Sequence, residues 1–119
     1  MVKALFDTNI LIDYLNGVKE AKVELARFED KAISVITWME VMVGTTPATQ
    51  AGTKAFLAGF VHLTINDSVA ERAVALRQSK RIKLPDAIVW ATAQTSDRLL
   101  VTRNTKDFGT DEPGVRVPY

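Results

Sequence analysis

Hydrophobic and polar positions follow two alternating patterns along the chain. Short apolar runs are typical of buried strands, and longer stretches with apolar residues every three or four positions are typical of helices. The pattern predicts five strands, at Val2–Phe6, Lys31–Ile36, Phe60–Ile65, Leu99–Thr102 and Val115–Val117. Because helical stretches separate these strands, we expect an α/β fold with a mostly parallel sheet covered on both faces.

Local start and stop signals place the helices between these strands. The pattern predicts helices at Ile10–Leu15, Lys19–Phe28, Thr37–Val43 and Thr49–Gly59, and two more that begin near Asp67 or Ser68 and at Pro85. Gly44 suits the end of a helix. Pro47 and Pro85 suit helix starts.

Composition narrows the class of protein. With 119 residues and no linker-like tract, we expect a single domain over residues 1–119. The absence of cysteine excludes disulfides and thiolate metal sites, and fits a cytoplasmic protein. We expect no membrane segment, because no apolar run approaches the roughly 20 residues that a span needs. With a formal net charge of +1, any attraction to nucleic acid has to be local.

Acidic and amide residues follow several of the predicted strands. Asp7 comes directly after the first strand, and Glu40 falls in the first turn of the helix after the second. Asp86 lies at a helix start, and Asn104 and Asp107 follow the fourth strand. In parallel sheets, ligands bind beyond the carboxyl ends of the strands, so we expect these side chains to converge. Clustered carboxylates need a cation, and hard oxygen ligands favour Mg²⁺ or Mn²⁺.

Each of these residues also has a purely structural explanation. Asp7 could simply cap the helix that follows it. Thr37 and Glu40 match a capping box, in which Thr37 caps the helix and Glu40 bonds back to its backbone. Asp86 is favoured by the helix dipole, and Asp107 could be an ordinary loop acid. The case for a site therefore depends on the acids as a set.

Basic residues lie next to the acidic ones in sequence. Lys80, Arg81 and Lys83 precede Asp86, and Arg103 and Lys106 flank Asn104. Such residues could hold the phosphates that flank a metal-bound phosphodiester. They could equally be solvated ends of helices.

The histidine and the tryptophans are weaker candidates. His62 is the one histidine and lies in an apolar run, so we interpret it as a strand residue. Trp38 and Trp90 lie on predicted helices, where core packing explains them better than stacking on bases.

Four segments together resemble the PIN-domain nucleases, specifically the VapC-type toxins of toxin–antitoxin pairs. The matching segments are Leu5–Ile12, Ser34–Glu40, Leu84–Ala87 and Val101–Phe108, in the family's order and over nearly the whole chain. The resemblance implies a three-layer α/β/α sandwich that cuts RNA with Mg²⁺ or Mn²⁺. It also implies a small cognate antitoxin as partner, homodimers, and larger complexes of toxin with antitoxin.

The resemblance also assigns roles to individual residues. Asp7, Glu40 and Asp86 match the three acids that bind metal and catalyse cleavage in the family. Asn104 matches a fourth catalytic position that is often Asp, and this departure favours one resting metal ion over a fixed pair. Thr8 and Asn9 match positions that support the first acid by hydrogen bonding.

The sequence leaves rival functions to weigh. Haloacid-dehalogenase-like phosphatases require an acid two residues after the first, where this chain has Asn9. Receiver domains need an acidic pair and a phosphoacceptor that the chain does not present convincingly. A PIN-like module that binds protein or nucleic acid without catalysis is the non-enzymatic alternative, and retention of Asp7, Glu40 and Asp86 argues against it.

Overall fold

The computed structural model describes residues 1–119 and contains one five-stranded sheet with six helices. The strands are β1 Lys3–Phe6, β2 Asp30–Ser34, β3 Val61–Leu63, β4 Leu99–Val101 and β5 Val115–Arg116. The helices are α1 Thr8–Leu15, α2 Lys19–Ala26, α3 Val35–Val43, α4 Gln50–Leu57, α5 Asp67–Lys80 and α6 Leu84–Thr95. None of these helices is long and apolar enough to cross a membrane.

All neighbouring strands pair in parallel, in the order β3-β2-β1-β4-β5. The chain therefore builds outward from β1 through β2 to β3, and then returns to the other side of β1 for β4. In open α/β sheets, this reversal leaves a crevice at the carboxyl ends of the two central strands. Here those strands are β1 and β4, so the crevice lies between Phe6 and Val101, which are paired in register.

The core has two halves, one on each face of the sheet, because alternate strand residues point to opposite faces. In β1, Leu5 packs with the half that includes α5 and α6, whereas Ala4 and Phe6 pack with the half that includes α1, α2 and α4. All three side chains are fully buried. The α/β fold with helices on both faces of a parallel sheet is therefore confirmed.

Helix α3 starts two residues before the predicted position, and the predicted capping box is wrong. Ser34 caps the helix, with its Oγ accepting from the backbone N–H of Ile36 at 3.2 Å. Thr37 is consequently an interior residue, and Glu40 lies beyond the first turn. The Ser34 hydroxyl at the end of β2 provides the cap, so the helix forms before the sequence reaches Thr37.

Other helix starts differ by one to three residues. Asn66 caps α5 in place of Asp67 or Ser68, accepting from the N–H of Val69 at 2.9 Å. Pro85 occupies the second position of α6, after Leu84. Pro47 lies in the turn before α4 and does not start a helix. These shifts leave the order of elements unchanged.

Candidate active site

Asp7 lies at the end of β1 in the central crevice and is only 5% exposed. Its Oδ1 accepts the backbone N–H of Thr8 at 2.8 Å and caps α1. Its Oδ2 accepts the Thr102 hydroxyl at 2.8 Å and the Asn9 side-chain amide at 3.2 Å. Asp7 is thus a helix cap and also the carboxylate that faces the end of β4.

The carboxylate of Asp7 is costly to ionise in this position. Burial raises its pKa above the usual value, and the negative charge of Glu40 raises it further, against the opposing effect of the three hydrogen bonds. No lysine or arginine forms an ion pair with Asp7, Glu40 or Asp86. The crevice therefore carries negative charge that the protein itself does not neutralise.

Glu40 reaches the crevice from the middle of α3 and is held by a side chain of α1. Its Oε1 accepts the hydroxyl of Thr8 at 2.6 Å. The hydroxyl oxygens of Thr8 and Thr37 are 3.1 Å apart. Glu40 thus contacts Thr8, next to Asp7, and not the start of its own helix.

Asp86 lies in the first turn of α6 and is partly buried. Its pKa is raised to about 6, chiefly by burial, and also by a hydrogen bond to Asp107 and by the charges of Asp7, Asp107 and Glu40. Asp86 is therefore within electrostatic reach of Asp7, Glu40 and Asp107.

Asn104 and Asp107 together form the part of the site that follows β4. The side-chain amide of Asn104 donates to Oδ2 of Asp107 at 2.9 Å, and Asn104 Oδ1 accepts the backbone N–H of Asp107 at 3.2 Å. The hydrogen bond from this amide is the main cause that lowers the pKa of Asp107. Asp86, Lys83 and Lys106 lower it further. Asn104 thus positions an ionised carboxylate beside Asp86, a pairing that the three-residue spacing permits but does not reveal.

Thr102 links the parts of the site, and the sequence did not single it out. Its hydroxyl donates to Asp7, and it accepts the backbone N–H of Asn104 at 3.0 Å and the amide of Asn9 at 3.4 Å. The side chain is fully buried. The sequence did contain a signal for this role, because Thr102 directly follows a buried strand, just as Asp7 directly follows a neighbouring one.

The donor set suits a hard divalent cation. Four carboxylates and an amide supply oxygen ligands, which Mg²⁺ and Mn²⁺ prefer. No three acidic side chains, however, already stand in the geometry of a finished metal site. The residues therefore fit such an ion by their chemistry and their uncompensated charge. None of the five main surface cavities is lined by these acids.

The basic residues differ in what they contact. Arg103 forms an ion pair with Asp13 at 2.6 Å, and Lys80 pairs with Glu112 at 3.1 Å. Lys83 and Lys106 act on the acidic site, since both lower the pKa of Asp107. Local positive charge therefore borders the crevice at its Asp107 side.

The remaining candidates are structural. His62 lies on β3, as predicted, and its Nε2 is 2.7 Å from the carbonyl oxygen of Leu57. Trp90 is 2% exposed and packs edge-on against Phe108 with ring centroids 5.3 Å apart, while Trp38 packs against the other half of the core. Core packing is thus confirmed for both tryptophans.

The chain is similar to known proteins over most of its length. The family model described as PIN domain matches residues 4–109. Ribonuclease VapC10 of Mycobacterium tuberculosis is 31% identical over 112 residues, covering 87% of this chain and 84% of its own length. A toxin–antitoxin complex from Klebsiella pneumoniae contains a chain that is 53% identical, with a TM-score of 0.93 and 98% of both chains covered.

A more distant structure extends the fold similarity. FitAcB from Neisseria gonorrhoeae matches with a TM-score of 0.81, 23% identity and 97% of both chains covered, and this shows the common fold alone. A parallel sheet with acids gathered at the β1–β4 crevice defines the class of protein. The chain belongs to the PIN-domain family, and its relatives include VapC-type toxins.

Proposed function

We propose that the chain is a metal-dependent endoribonuclease and the toxin of a type II toxin–antitoxin pair. The observation that carries the proposal is the buried Asp7 carboxylate, which shares a crevice with Asp86 and Glu40 and has no cationic partner. Uncompensated buried charge at a sheet crevice is typical of functional sites. VapC10, a ribonuclease by name, supports the choice of RNA as substrate.

Asp7, Asp86 and Glu40 would hold a Mg²⁺ or Mn²⁺ ion. An ion of this kind acidifies water and stabilises charge on phosphoryl oxygens. Thr102, Asn9 and the Thr8 N–H fix both oxygens of Asp7, so this ligand needs no reorientation when the substrate arrives.

Other residues of the site would position the acids and bind the substrate. Thr8 holds the Glu40 carboxylate beside Asp7. Asn104 holds Asp107, whose ionised carboxylate can accept a hydrogen bond from Asp86 when Asp86 is protonated. Lys83 and Lys106 provide positive charge for phosphates next to the one that is cleaved.

We also propose a small antitoxin as partner, because the 53% identical chain from Klebsiella belongs to a toxin–antitoxin complex. We also propose a homodimer, larger complexes with the antitoxin and a cytoplasmic site of action, as the resemblance to VapC-type toxins implies. The non-catalytic binding module remains the alternative, and cleavage distinguishes the two.

The test is cleavage of RNA by the purified chain with Mg²⁺ or Mn²⁺, with EDTA, and after Asp7→Asn. Asparagine caps a helix as well as aspartate does, so the variant should fold. We expect EDTA to abolish cleavage and Asp7→Asn to reduce it about 1,000-fold, as loss of one preorganised electrostatic group does. Asp30→Asn, at the opposite edge of the sheet, is the matched control and should cleave normally.

Cleavage that persists in EDTA and in Asp7→Asn would reject the metal-nuclease proposal. An absence of cleavage in every metal, with RNA or antitoxin still bound, would support the non-catalytic module instead.

A further inference from the structure

Arg103 follows Thr102 at the end of β4, and its side chain is held from two sides. Its Nη1 contacts Oδ2 of Asp13 at 2.6 Å. The guanidinium carbon lies 5.1 Å from the ring centroid of Tyr119. The Tyr119 hydroxyl donates to the same Asp13 oxygen at 3.0 Å. We name Asp13, Arg103 and Tyr119 the loop anchor, because each of the three contacts the other two.

The backbone of Arg103 also contacts α1, the helix that its side chain contacts through Asp13. Its N–H donates to Oδ1 of Asn9 at 3.2 Å, and the Asn9 amide donates to Asp7. Asn9 and Asp13 are four residues apart and therefore lie on one face of α1. One residue thus attaches the segment after β4 to two successive turns of α1, the helix that Asp7 caps.

The attached segment carries half of the candidate site. Thr102 bonds to Asp7, and Asn104 holds Asp107 beside Asp86. The segment has no helix or strand of its own after Val101 until β5 begins at Val115. The backbone N–H of Thr102 donates to the carbonyl oxygen of Arg116 on β5 at 3.0 Å, which fixes the start of the segment. The position of the rest relative to α1 depends on side-chain contacts, of which the loop anchor provides the one ion pair to α1.

The contacts of Arg103 argue against a main role in binding phosphate. Asp13 neutralises its charge, and Tyr119 covers a face of its guanidinium. The ion pair is also a poor candidate for a purely stabilising role, because the Arg103 side chain is 45% exposed and exposed pairs contribute little to folding. A role in positioning explains both the geometry and the exposure.

We propose that Asp13, Arg103 and Tyr119 are positioning residues that hold the segment from Thr102 to Asp107 against α1. They thereby keep Thr102 aligned with Asp7 and Asp107 aligned with Asp86. The expected effect of these residues on RNA cleavage rests on the nuclease function proposed above. Its consequence for binding of a divalent ion can be measured without any cleavage.

The test compares two ion pairs at opposite ends of β4. Asp13→Asn and Arg103→Gln break the pair after the strand. Asp30→Asn breaks the pair between Asp30 and Arg98 before it, where Arg98 Nη1 lies 2.8 Å from Asp30 Oδ1. For each full-length variant, Mn²⁺ affinity is measured by calorimetry on metal-depleted protein, and kcat and KM are measured with RNA. Circular dichroism checks that each variant is folded.

We expect Asp13→Asn and Arg103→Gln each to weaken Mn²⁺ binding and lower kcat by about tenfold, the usual effect of losing support for metal ligands. KM should stay within about twofold. The double variant should be no worse than either single one, because the residues act as a unit. Tyr119→Phe keeps the stacked ring and should lose only about twofold. Asp30→Asn should leave both quantities unchanged.

Other outcomes would overturn the proposal. If Arg103→Gln raised KM at constant kcat and reduced the salt slope of RNA binding by about one, Arg103 would be a phosphate ligand. If Asp30→Asn weakened Mn²⁺ binding as much as Asp13→Asn, the effect would be general destabilisation. If wild-type protein bound Mn²⁺ but cut no RNA, the proposed function would fail while the affinity comparison still decided the role of the loop anchor.

Discussion

Glu24 and Asp7 are the two most buried carboxylates of the molecule, at 2% and 5% exposure, and their surroundings are opposite. Glu24, on α2, receives two bonds from the Arg116 guanidinium, at 2.5 and 3.0 Å, and is 3.1 Å from Arg27. Asp7 receives hydrogen bonds from neutral groups only, those of Thr8, Asn9 and Thr102.

The difference separates a structural charge from a functional one. A buried ion is tolerated when a partner of opposite charge replaces the water it has lost. Glu24 has such partners and joins α2 to β5, and its contact raises the pKa of Arg116. Asp7 has none, so burial raises its pKa. Under the proposed function, this uncompensated carboxylate would bind a cation from outside the chain.

We expect the largest effect on stability from breaking the contacts of Glu24 with Arg116. Arg116→Met removes two hydrogen bonds and leaves Glu24 buried with Arg27 alone, so we expect a loss of about 2 kcal/mol in the free energy of unfolding. Urea denaturation measures it. Asp7→Asn is the matched change in the other region and should leave stability equal or higher. Equal losses at both sites would contradict the distinction between a structural and a functional charge.

The hydrogen bond from Thr8 to Glu40 offers a sharper test of the functional region. Thr8→Val keeps the shape of the side chain but removes the hydroxyl, so Glu40 is no longer held and cleavage should fall about tenfold. Thr8→Ser restores the donor and should recover most of the rate. Single-turnover cleavage of RNA with saturating Mn²⁺ provides the measurement. Identical rates for Val and Ser would show that the hydroxyl plays no part.

The pH dependence of stability gives the smallest effect. Folding raises the pKa of Asp86 from 3.8 to about 6, so between these values the folded state binds more protons than the unfolded state. Stability from this group is therefore full below about pH 4 and is lost as pH rises to 6. Asp86→Asn should remove this loss and stabilise the metal-free protein at pH 7 by about 1 kcal/mol or less, since solvent screens the site.

Thermal unfolding in EDTA from pH 4 to 7 checks this expectation. A wild-type midpoint that rises between pH 4 and 6 relative to that of Asp86→Asn would contradict the assigned sign. The same variant should lose cleavage, so a gain in stability with a loss of activity would strengthen the contrast with the Glu24 region.

The alternation of apolar runs and amphipathic stretches was enough to predict all five strands and the parallel arrangement. Short buried strands and their connecting helices are determined by local hydrophobic pattern, and the strand bounds differ from the observed ones by only one or two residues. Asp7 and Asp86 could be selected for the same reason, because one follows a strand and the other opens a helix at a predictable edge. Glu40 was selected on the expectation that it opens α3, whereas it lies in the middle of that helix.

The partners of these acids depended on the tertiary structure. Glu40 bonds to Thr8, 32 residues earlier in the chain, where the sequence pattern indicated a local capping box with Thr37. Thr102 and Asp7 are 95 residues apart, and Asp13 and Tyr119 are 106. Such contacts exist because β4 pairs with β1 and both strands end at one edge. Sequence reasoning could therefore identify the acids of the crevice, but only the packed sheet decided which groups hold them and that Asp7, Glu40 and Asp86 have no ion pair.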